Sequence, residues 1–420
     1  MATVHERASL VNEQTASGVA GIRAGRALGS KPGAGRRDVV FTFSTDTLAD
    51  AGRREFSFTS DQALHTICGA SDRVGRVIAA NPWRSWPAVA MRVMMSPRQE
   101  AARVDGATLV RPLRLRRRDP TTVPALRQSY QRYDVILERG VRKLRLDRPA
   151  VLTFNPFVAA FCPMPWASSV TYYAQDDWAS YPPVRPWWPA YQEAYRALSE
   201  KGARIICISS ELARRVAVNT PVVVQANAIV EAHWSKPLPP PPAMSGMARP
   251  IVTYVGTIDG RLDLELVTRV ADDDAVGSLA FIGPPTDGAI AEKLRSIPKV
   301  TLTGPMLRGE LAGALMHSDA CVIPHVINSL TCAMSPMKLY EYLAAGKPVA
   351  TVDIPAVHGV SERVIIASSD GFPGAVRTAL EMPGLDEGER LEFVRANSWA
   401  ARHGRTLRVM LAEDSDWWEV

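Results

Sequence analysis

The chain alternates short apolar runs with helix-like segments, and it does so twice, once on each side of a proline-rich stretch. In the first half, the apolar runs are bounded by polar, glycine or proline residues and are strand candidates: DVVFTFS, GRVIAA, AVLTF, SVTYYA, ARIICIS and PVVVQ. Residues 123–146 and 187–200 are predicted helices between them. Continuous apolar strands separated by helices are typical of a parallel sheet covered on both faces. We therefore predict an α/β fold for the first half.

The proline-rich stretch is predicted to link two domains. Six prolines lie between Pro237 and Pro250, a density that neither a helix nor a central strand accommodates. The alternative is a surface loop within one domain. Beyond the stretch, the strand candidates are IVTYVG, SLAFIG, KVTLTG, ACVIPH and PVATVD. Three of them end in glycine, at Gly256, Gly283 and Gly304, where a ligand can approach the backbone of a parallel sheet.

These patterns predict the organisation of the whole chain. We expect a basic disordered tail over residues 1–37, a first domain over 38–234, a linker over 235–249, a second domain over 250–395 and a C-terminal helical segment over 396–420. The second domain is the better candidate for nucleotide binding, because its strands end in glycine.

Positive charge is concentrated in the first domain. The net charge of the chain is +6, but residues 82–148 hold sixteen Arg or Lys side chains against six Asp or Glu. Within that zone, five arginines follow one another closely, near Trp83 and Trp86: Arg111, Arg114, Arg116, Arg117 and Arg118. Such a zone suits an anionic partner, such as a membrane surface, a phosphorylated substrate or nucleic acid, or it is simply a solvated face.

The cysteine and hydropathy patterns indicate a cytoplasmic protein. The five cysteines form no C-x-x-C pair, and Cys207 and Cys321 lie within apolar runs, where a reduced cysteine is favoured. The seven histidines show no metal-ligand spacing. We expect no transmembrane helix and no secretory signal, because the N-terminal residues lack an apolar core.

One stretch, SPMKLYEYLAAGKPV, combines a helix start with two charged side chains. Ser335 is predicted to cap a helix over 336–345, with Pro336 at its first position. Lys338 in the first turn and Glu341 one turn on would share a face. A helix start and an ammonium group suit a diphosphate, and a carboxylate suits ribose hydroxyls. The alternative is an ordinary surface Lys–Glu pair.

That stretch resembles the nucleotide-binding signature of bacterial GT-B glycosyltransferases, in the family 4 and teichuronic-acid glycosyltransferase-like group. The resemblance includes YVGTIDGRLDLELV, FIGPP and LTGPM in the second half and YYAQDDWASY, ARIICISSELARRV and QANAI in the first. It implies two Rossmann-like domains that face a central cleft, with the last helix returning to the first domain. The implied activity is transfer of a sugar from a nucleotide-sugar donor to a saccharide or lipid-linked acceptor, in cell-surface or exopolysaccharide biosynthesis at the inner face of the membrane. Because such enzymes often act on lipid-linked acceptors, we also predict that the protein binds an anionic membrane peripherally through the five clustered arginines near Trp83 and Trp86.

The resemblance also implies roles for individual residues. Lys338 would contact the donor diphosphate, and Glu341 would hold the ribose. Gly256 would leave room for the phosphates, and Arg261 would add positive charge. The backbone near Met306 and Leu307 would lie against the base. The predicted donor site is thus Gly256, Arg261, Met306, Ser335, Met337, Lys338 and Glu341.

The chain departs from the family pattern at one position. Retaining members place a glutamate that contacts the donor sugar eight residues before Glu341, where this chain has Ala333. That difference weakens the expectation of a retaining mechanism. Asn328, Ser329 and Thr331 are nearby residues that could contact the sugar instead.

The first domain is expected to supply the catalytic base and the acceptor site. Asp176 and Asp177 follow a predicted strand, and one of them is the candidate to deprotonate the acceptor hydroxyl; the alternative for the pair is a helix cap. Asp46 is a candidate for acceptor contact. We expect no cofactor and no metal, because helix starts and basic side chains can neutralise the departing diphosphate. The aspartates at 272–274 are predicted to be solvated charge.

Three other functions stay open on the sequence. A nucleotide-sugar 2-epimerase uses the same scaffold but needs no acceptor site, so the arginine zone counts against it. A catalytically silent binding protein is compatible with Ala333 but not suggested by Lys338 and Glu341. A nucleic-acid-binding role lacks a recognised base-reading motif, so we expect no nucleic-acid partner.

Overall fold

The computed structural model describes residues 35–95, 104–217, 219–413 and 416–419 of the 420-residue chain. Nearly all of the predicted tail over 1–37 lies outside the described residues. Across the ranges just given, no helix combines the length and the apolar character that crossing a membrane requires.

The strands of the described residues build two parallel sheets and a short ribbon. Their bounds are β1 Arg37–Thr42, β2 Val74–Ala80, β3 Arg84–Ser85, β4 Ala107–Val110, β5 Leu113–Arg114, β6 Ala150–Thr153, β7 Ser169–Ala174, β8 Arg204–Cys207, β9 Val223–Val224, β10 Ile251–Val255, β11 Ser278–Ile282, β12 Val300–Gly304, β13 Ala320–Ile323, β14 Val349–Val352 and β15 Val364–Ala367. The first sheet has the order β4-β2-β1-β6-β7-β8-β9, and the second has the order β12-β11-β10-β13-β14-β15. The ribbon pairs β3 with β5.

Helices cover the two sheets. Their bounds are α1 Leu48–Arg53, α2 Thr59–Gly69, α3 Trp86–Met95, α4 Val123–Leu144, α5 Pro156–Phe161, α6 Trp188–Glu200, α7 Ser210–Val216, α8 Leu264–Ala271, α9 Gly288–Ser296, α10 Arg308–Met316, α11 Ser329–Ala333, α12 Met337–Ala344, α13 Phe372–Glu381, α14 Glu387–Ala396 and α15 Trp399–Leu411. The central strands β6, β10 and β13 are buried along their whole length, as expected for a parallel sheet with both faces covered. The predicted α/β fold with two parallel sheets is thereby confirmed.

The sequence prediction omitted four short strands. β4 and β15 lie at the edges of their sheets and are only half-buried, so their apolar signal is weak. β3 and β5 are two residues each and form the separate ribbon within the arginine zone. Edge strands and short ribbons lack the continuous apolar run on which the prediction relied.

The two sheets are connected twice by the chain. The first connection leads from β9 through the proline-rich stretch to β10, and the second leads from α14 to α15. The connections lie side by side, because the Ile229 amide donates to the Asn397 carbonyl at 3.1 Å and the Trp399 amide donates to the Ile229 carbonyl at 2.9 Å. After this crossing, α15 packs against the first sheet and buries Leu407 and Met410 in its core.

The prediction for the aspartates at 272–274 was wrong at its central residue. Asp273 is buried, accepts a hydrogen bond from the Ala275 amide at 3.0 Å and pairs with the Arg377 guanidinium at 2.6 Å. The acidic run therefore ties the end of α8 to α13 instead of forming only a solvated face.

Candidate functional site

A cleft of about 790 Å³ lies between the carboxyl edges of the two sheets. Residues that follow β1, β7 and β8 form one wall, and residues that follow β10, β11 and β12 form the other. The start of α12 forms part of the second wall. Ligands of open parallel sheets bind beyond the carboxyl ends of the strands, so the cleft lies where the fold places a binding site.

Helix α12 begins one residue later than predicted. Pro336 is its cap position and Met337 its first residue, so Ser335 is not the helix cap. Instead, the buried Ser335 hydroxyl accepts a hydrogen bond from the Asn227 amide at 3.2 Å, and the Ser335 carbonyl accepts one from Asn227 Nδ2 at 2.7 Å. Asn227 also accepts a hydrogen bond from the Thr59 hydroxyl at 2.8 Å. Ser335 thus joins the two walls near the base of the cleft.

Lys338 extends from the first turn of α12 into a pocket of rings. Its Nζ donates to the Tyr254 hydroxyl at 2.9 Å and lies 4.2 Å from the centre of the Tyr254 ring. It is also 3.1 Å from His325 Nε2. Burial and the nearby Lys338 hold the pKa of His325 well below its usual range, so a neutral imidazole accepts this hydrogen bond.

Burial also lowers the pKa of Lys338, to about 7, and the positive charge of Arg261 acts in the same direction. No carboxylate of the described chain lies within ion-pair distance of the Lys338 ammonium group. Among weakly hydrated rings and without an ion-pair partner, the charged form of a lysine is strongly stabilised when an anion binds beside it. Lys338 is therefore suited to receive a phosphate group.

Gly256 and Gly283 keep the backbone open beside Lys338. Both have positive φ, at 141° and 148°. A Cβ atom on Gly256 would lie 2.9 Å from Lys338 Nζ, and one on Gly283 would lie 2.0 Å from the Gly256 carbonyl oxygen. No other residue fits at either position without displacing the backbone or the lysine.

Arg261 lines the cleft but is already paired. Its guanidinium forms a forked contact with Asp259, with distances of 2.9, 3.1 and 2.7 Å. The two side chains are only 27% and 26% exposed. Arg261 therefore contributes less net charge than the unpaired Lys338.

Glu341 lies one turn after Lys338 and is buried. Its Oε1 accepts from Arg308 Nη1 at 2.6 Å, and Arg308 is the first residue of α10. This contact occupies one carboxylate oxygen and fixes its orientation. Met306 and Met337 line the cleft beside the pair and are half-buried.

Position 333 does not face the cleft. Ala333 is buried in the core of the first half, and its carbonyl accepts from the Ser209 hydroxyl at 2.7 Å. Asn328 and Thr331 bond each other around the start of α11, and Ser329 accepts from Arg215 of the first half at 2.9 Å. None of these three alternatives is among the residues that line the cleft.

The two adjacent aspartates after β7 occupy different environments. Asp176 lines the cleft and is open to its solvent, whereas Asp177 is buried and pairs with Arg215 at 2.8 Å. The protein on both sides of the cleft reduces hydration around Asp176 and raises its pKa to about 6, against the opposing effect of Arg261. Asp176 is therefore the aspartate that is placed to accept a proton in the cleft.

Asp46 lies on the first wall of the cleft, in a cluster of side chains that Arg54 holds together. Its Oδ2 accepts from Arg54 Nη1 at 2.9 Å, while Arg54 also holds the fully buried Asp61 at 2.7 Å. The Arg54 guanidinium lies 4.3 Å from the centre of the Phe58 ring, which is 47% exposed within the cleft. Asp46 and Phe58 both line the first wall of the cleft.

Within residues 35–95, 104–217, 219–413 and 416–419, no group of three or more His, Cys, Asp or Glu side chains could hold a metal ion. All five cysteines fall in these ranges and are free thiols.

Several residues of the site were not predicted from the sequence. His325 and Tyr254 lie within quoted strand patterns, but nothing in their spacing indicates that both meet Lys338. Arg308, Arg54 and Phe58 follow no motif and become recognisable only when the fold brings them to the cleft.

Known proteins share this architecture. An alpha,alpha-trehalose-phosphate synthase (UDP-forming) from Burkholderia vietnamiensis superposes with a TM-score of 0.63 at 11% identity, over 90% of this chain and 98% of that one. Anabaena HepE in complex with UDP and glucose superposes with a TM-score of 0.50 at 11% identity, over 89% and 95%. The fold is thus that of GT-B glycosyltransferases, as predicted.

The second half also matches by sequence. Residues 249–382 match the family model for glycosyl transferases group 1. TuaH of Bacillus subtilis, described as a teichuronic acid biosynthesis glycosyltransferase, is 25% identical over 139 residues, which are 33% of this chain and 35% of that protein. The match therefore spans about a third of that relative's length. The predicted resemblance to this group is confirmed over the second half of the chain.

Proposed function

We propose that the chain is a glycosyltransferase that moves a sugar from a nucleotide-sugar donor to a saccharide or lipid-linked acceptor. The observation that carries the proposal is the arrangement of Lys338, Glu341 and Gly256 on one wall of the cleft, with Asp176 on the other. Lys338 suits a diphosphate, and Glu341 suits a ribose. Gly256 allows a ligand to approach the backbone closely, and Asp176 can accept a proton.

The donor half is suited to a ribonucleoside diphosphate sugar. Lys338 and the uncapped start of α12 would contact the diphosphate. The free oxygen of Glu341 would accept from a ribose hydroxyl, with Arg308 holding the other oxygen. Half-buried Met306 and Met337 would pack against the base. Because HepE holds UDP and the Burkholderia enzyme is UDP-forming, UDP is the first nucleotide to test.

Asp176 would act as the base toward the acceptor. As the acceptor oxygen attacks the anomeric carbon, its proton passes to the Asp176 carboxylate, and the bond from that carbon to the diphosphate oxygen breaks. The departing diphosphate carries the developing charge, which the Lys338 ammonium group stabilises. Asp46 and Phe58 would bind the acceptor sugar, through a hydroxyl and a ring face.

We further propose that the transfer needs no metal, because Lys338, Arg261 and the start of α12 supply positive charge where the diphosphate leaves. Addition of a chelator should then leave transfer unchanged. A loss of activity that Mg²⁺ restores would contradict this proposal.

The cellular role that we propose rests on the similarity to TuaH and on the arginine zone. A role in cell-surface polysaccharide biosynthesis, on the cytoplasmic side of the membrane, would suit the similarity to TuaH and the exposed arginines of residues 111–118. The comparisons do not favour the two alternatives, a 2-epimerase or a catalytically silent binding protein.

Nucleotide binding and transfer can be tested separately. The protein is heated with UDP, GDP or dTDP, and a nucleotide that binds the folded state raises the melting temperature. The same preparation is then incubated with the matching nucleotide sugars, with and without saccharide acceptors. We expect a melting shift and acceptor-dependent release of nucleotide. Conversion of the donor to an epimer without acceptor would contradict the transferase proposal.

A further inference from the structure

Helix α3 is an apolar helix on the outside of the protein. Of its ten residues, WPAVAMRVMM, only Arg92 is charged. Met94 and Met95 are 84% and 77% exposed, and Trp86 is 51% exposed. Helices that are apolar on nearly all sides are normally buried, so this surface is suited to contact something other than water.

The ribbon β3–β5 places α3 beside the arginine zone. Arg84 pairs with Leu113 and Ser85 with Arg114, and the Ser85 hydroxyl donates to the Leu115 carbonyl at 3.4 Å. Since α3 starts directly after Ser85, its first turn and residues 115–118 leave the ribbon side by side. Leu115 is itself 75% exposed and extends the apolar surface.

Positive charge lies next to this apolar surface, on the segment that follows Leu115. Arg116, Arg117 and Arg118 are exposed, and none is paired with a carboxylate of the chain that the structure describes. Arg114 differs, because it pairs with Asp119 and lies over the Trp83 ring. Arg116, Arg117 and Arg118 are therefore the exposed cations that follow Leu115 directly.

We infer that α3 and residues 115–118 form a membrane-docking surface, in which α3 lies among the lipids of an anionic bilayer and the arginines contact its phosphates. Apolar side chains flanked by arginines complement the acyl region and the headgroups of such a bilayer. A ten-residue helix is about 15 Å long, so α3 would lie in the interface and not cross it. The inference rests on the proposed transfer to a lipid-linked acceptor.

The same surface connects to the cleft. Arg84 of the ribbon donates to Asp50 at 2.9 Å, and Asp50 also pairs with Arg53, which lines the cleft. Docking through α3 would therefore bring the first wall of the cleft close to the headgroups. This placement suits an acceptor whose sugar is attached to a membrane lipid.

Vesicle flotation tests the docking surface. The full chain is mixed with vesicles of equal parts phosphatidylcholine and phosphatidylglycerol, at low and at high salt. We expect binding at low salt that is weakened, but not lost, at high salt, because apolar contacts are not screened. Met94→Asp with Met95→Asp should reduce vesicle affinity by about tenfold or more. Val135→Asp, at another exposed apolar position on α4, is the matched control.

The depth to which α3 enters the bilayer and the contribution of the arginines can be measured separately. Brominated lipids should quench tryptophan fluorescence in the native chain but less in Trp86→Phe. Combined Arg116→Gln, Arg117→Gln and Arg118→Gln should remove the salt dependence. Absence of flotation at low salt, or flotation of the Met94–Met95 variant at the native level, would overturn the inference.

Two outcomes separate this inference from the proposed function. If the native chain dimerises in solution and does not float with vesicles, and the Met94–Met95 variant is monomeric, α3 is a subunit interface and the inference fails. The UDP melting shift should be unchanged in that variant, since α3 lies outside the donor site. Loss of vesicle binding with an intact shift would therefore locate the defect in docking, whereas an absent shift in the native chain would count against the transferase.

Discussion

Gly256 and Lys338 approach so closely that a methyl group on the glycine would lie 2.9 Å from the lysine Nζ. Gly256→Ala should displace the lysine and strain a backbone with a φ of 141°, which L side chains rarely adopt. We expect the UDP melting shift to decrease strongly. Gly260→Ala is the matched control, because no heavy atom lies within 4 Å of its added Cβ. Equal behaviour of the two variants would contradict the assigned role of Gly256.

Lys338→Ala should abolish most of the melting shift caused by UDP. Hydrogen bonds to charged groups contribute about 1.5–3 kcal/mol, which corresponds to roughly 10- to 150-fold in affinity. Lys338→Arg should retain part of the binding, because the charge is kept. Lys293→Ala, on the exposed face of α9, is the control for loss of a lysine. A normal shift in Lys338→Ala would remove the diphosphate assignment.

Asp176 and Asp177 should respond differently to the same change. Asp176→Asn should abolish transfer while leaving the UDP melting shift intact, because only the proton acceptor is lost. Asp177→Asn should instead lower the free energy of unfolding by about 1–3 kcal/mol, because the buried ion pair with Arg215 is lost. Thermal unfolding and acceptor-dependent turnover measure the two effects. Normal turnover in Asp176→Asn would exclude it as the base.

The pH dependence of kcat/KM should be bell-shaped. As the pH falls through about 6, Asp176 takes up a proton and can no longer act as a base. As the pH rises through about 7, Lys338 loses its charge and binds the diphosphate less well. Lys338→Arg should remove the alkaline limb, because arginine stays protonated. An unchanged alkaline limb in that variant would show that another group titrates there.

Glu341→Gln should weaken recognition of the ribose. In the native chain, we expect UDP to bind better than 2′-deoxy-UDP, because the Glu341 carboxylate would accept a hydrogen bond from the 2′ hydroxyl. The variant should lose most of that difference, which titration calorimetry can measure. Glu392→Gln, an exposed carboxylate on α14, is the control. An undiminished preference in Glu341→Gln would place the ribose elsewhere.

Much of the fold was predictable because parallel strands are buried on both faces. The runs DVVFTFS and IVTYVG carry a continuous apolar signal, and they form the strands β1 and β10 near the centres of the two sheets. The edge strand β4 and the ribbon escaped prediction, since half-buried strands of two to four residues have no clear period. Helix α12 was predicted to begin one residue early, because Ser335 resembles a cap but bonds to Asn227 across the chain.

The site was predictable from the sequence only where its functional side chains lie in one short segment. Lys338 and Glu341 lie within one helix, so their spacing indicates a shared face. The Tyr254–His325–Lys338 cluster brings together three elements, and no local pattern records that contact. For the same reason, sequence alone could not distinguish Asp176 from Asp177, because the difference depends on Arg215, 38 positions away.

The return of α15 to the first sheet affects how the protein can be made. Leu407 and Met410 complete the core of the first half, although almost the entire second half precedes them in the chain. A ribosome therefore releases most of the second half before Leu407 and Met410 can join the core of the first half. The core of the first half therefore stays incomplete until α15 has been synthesised.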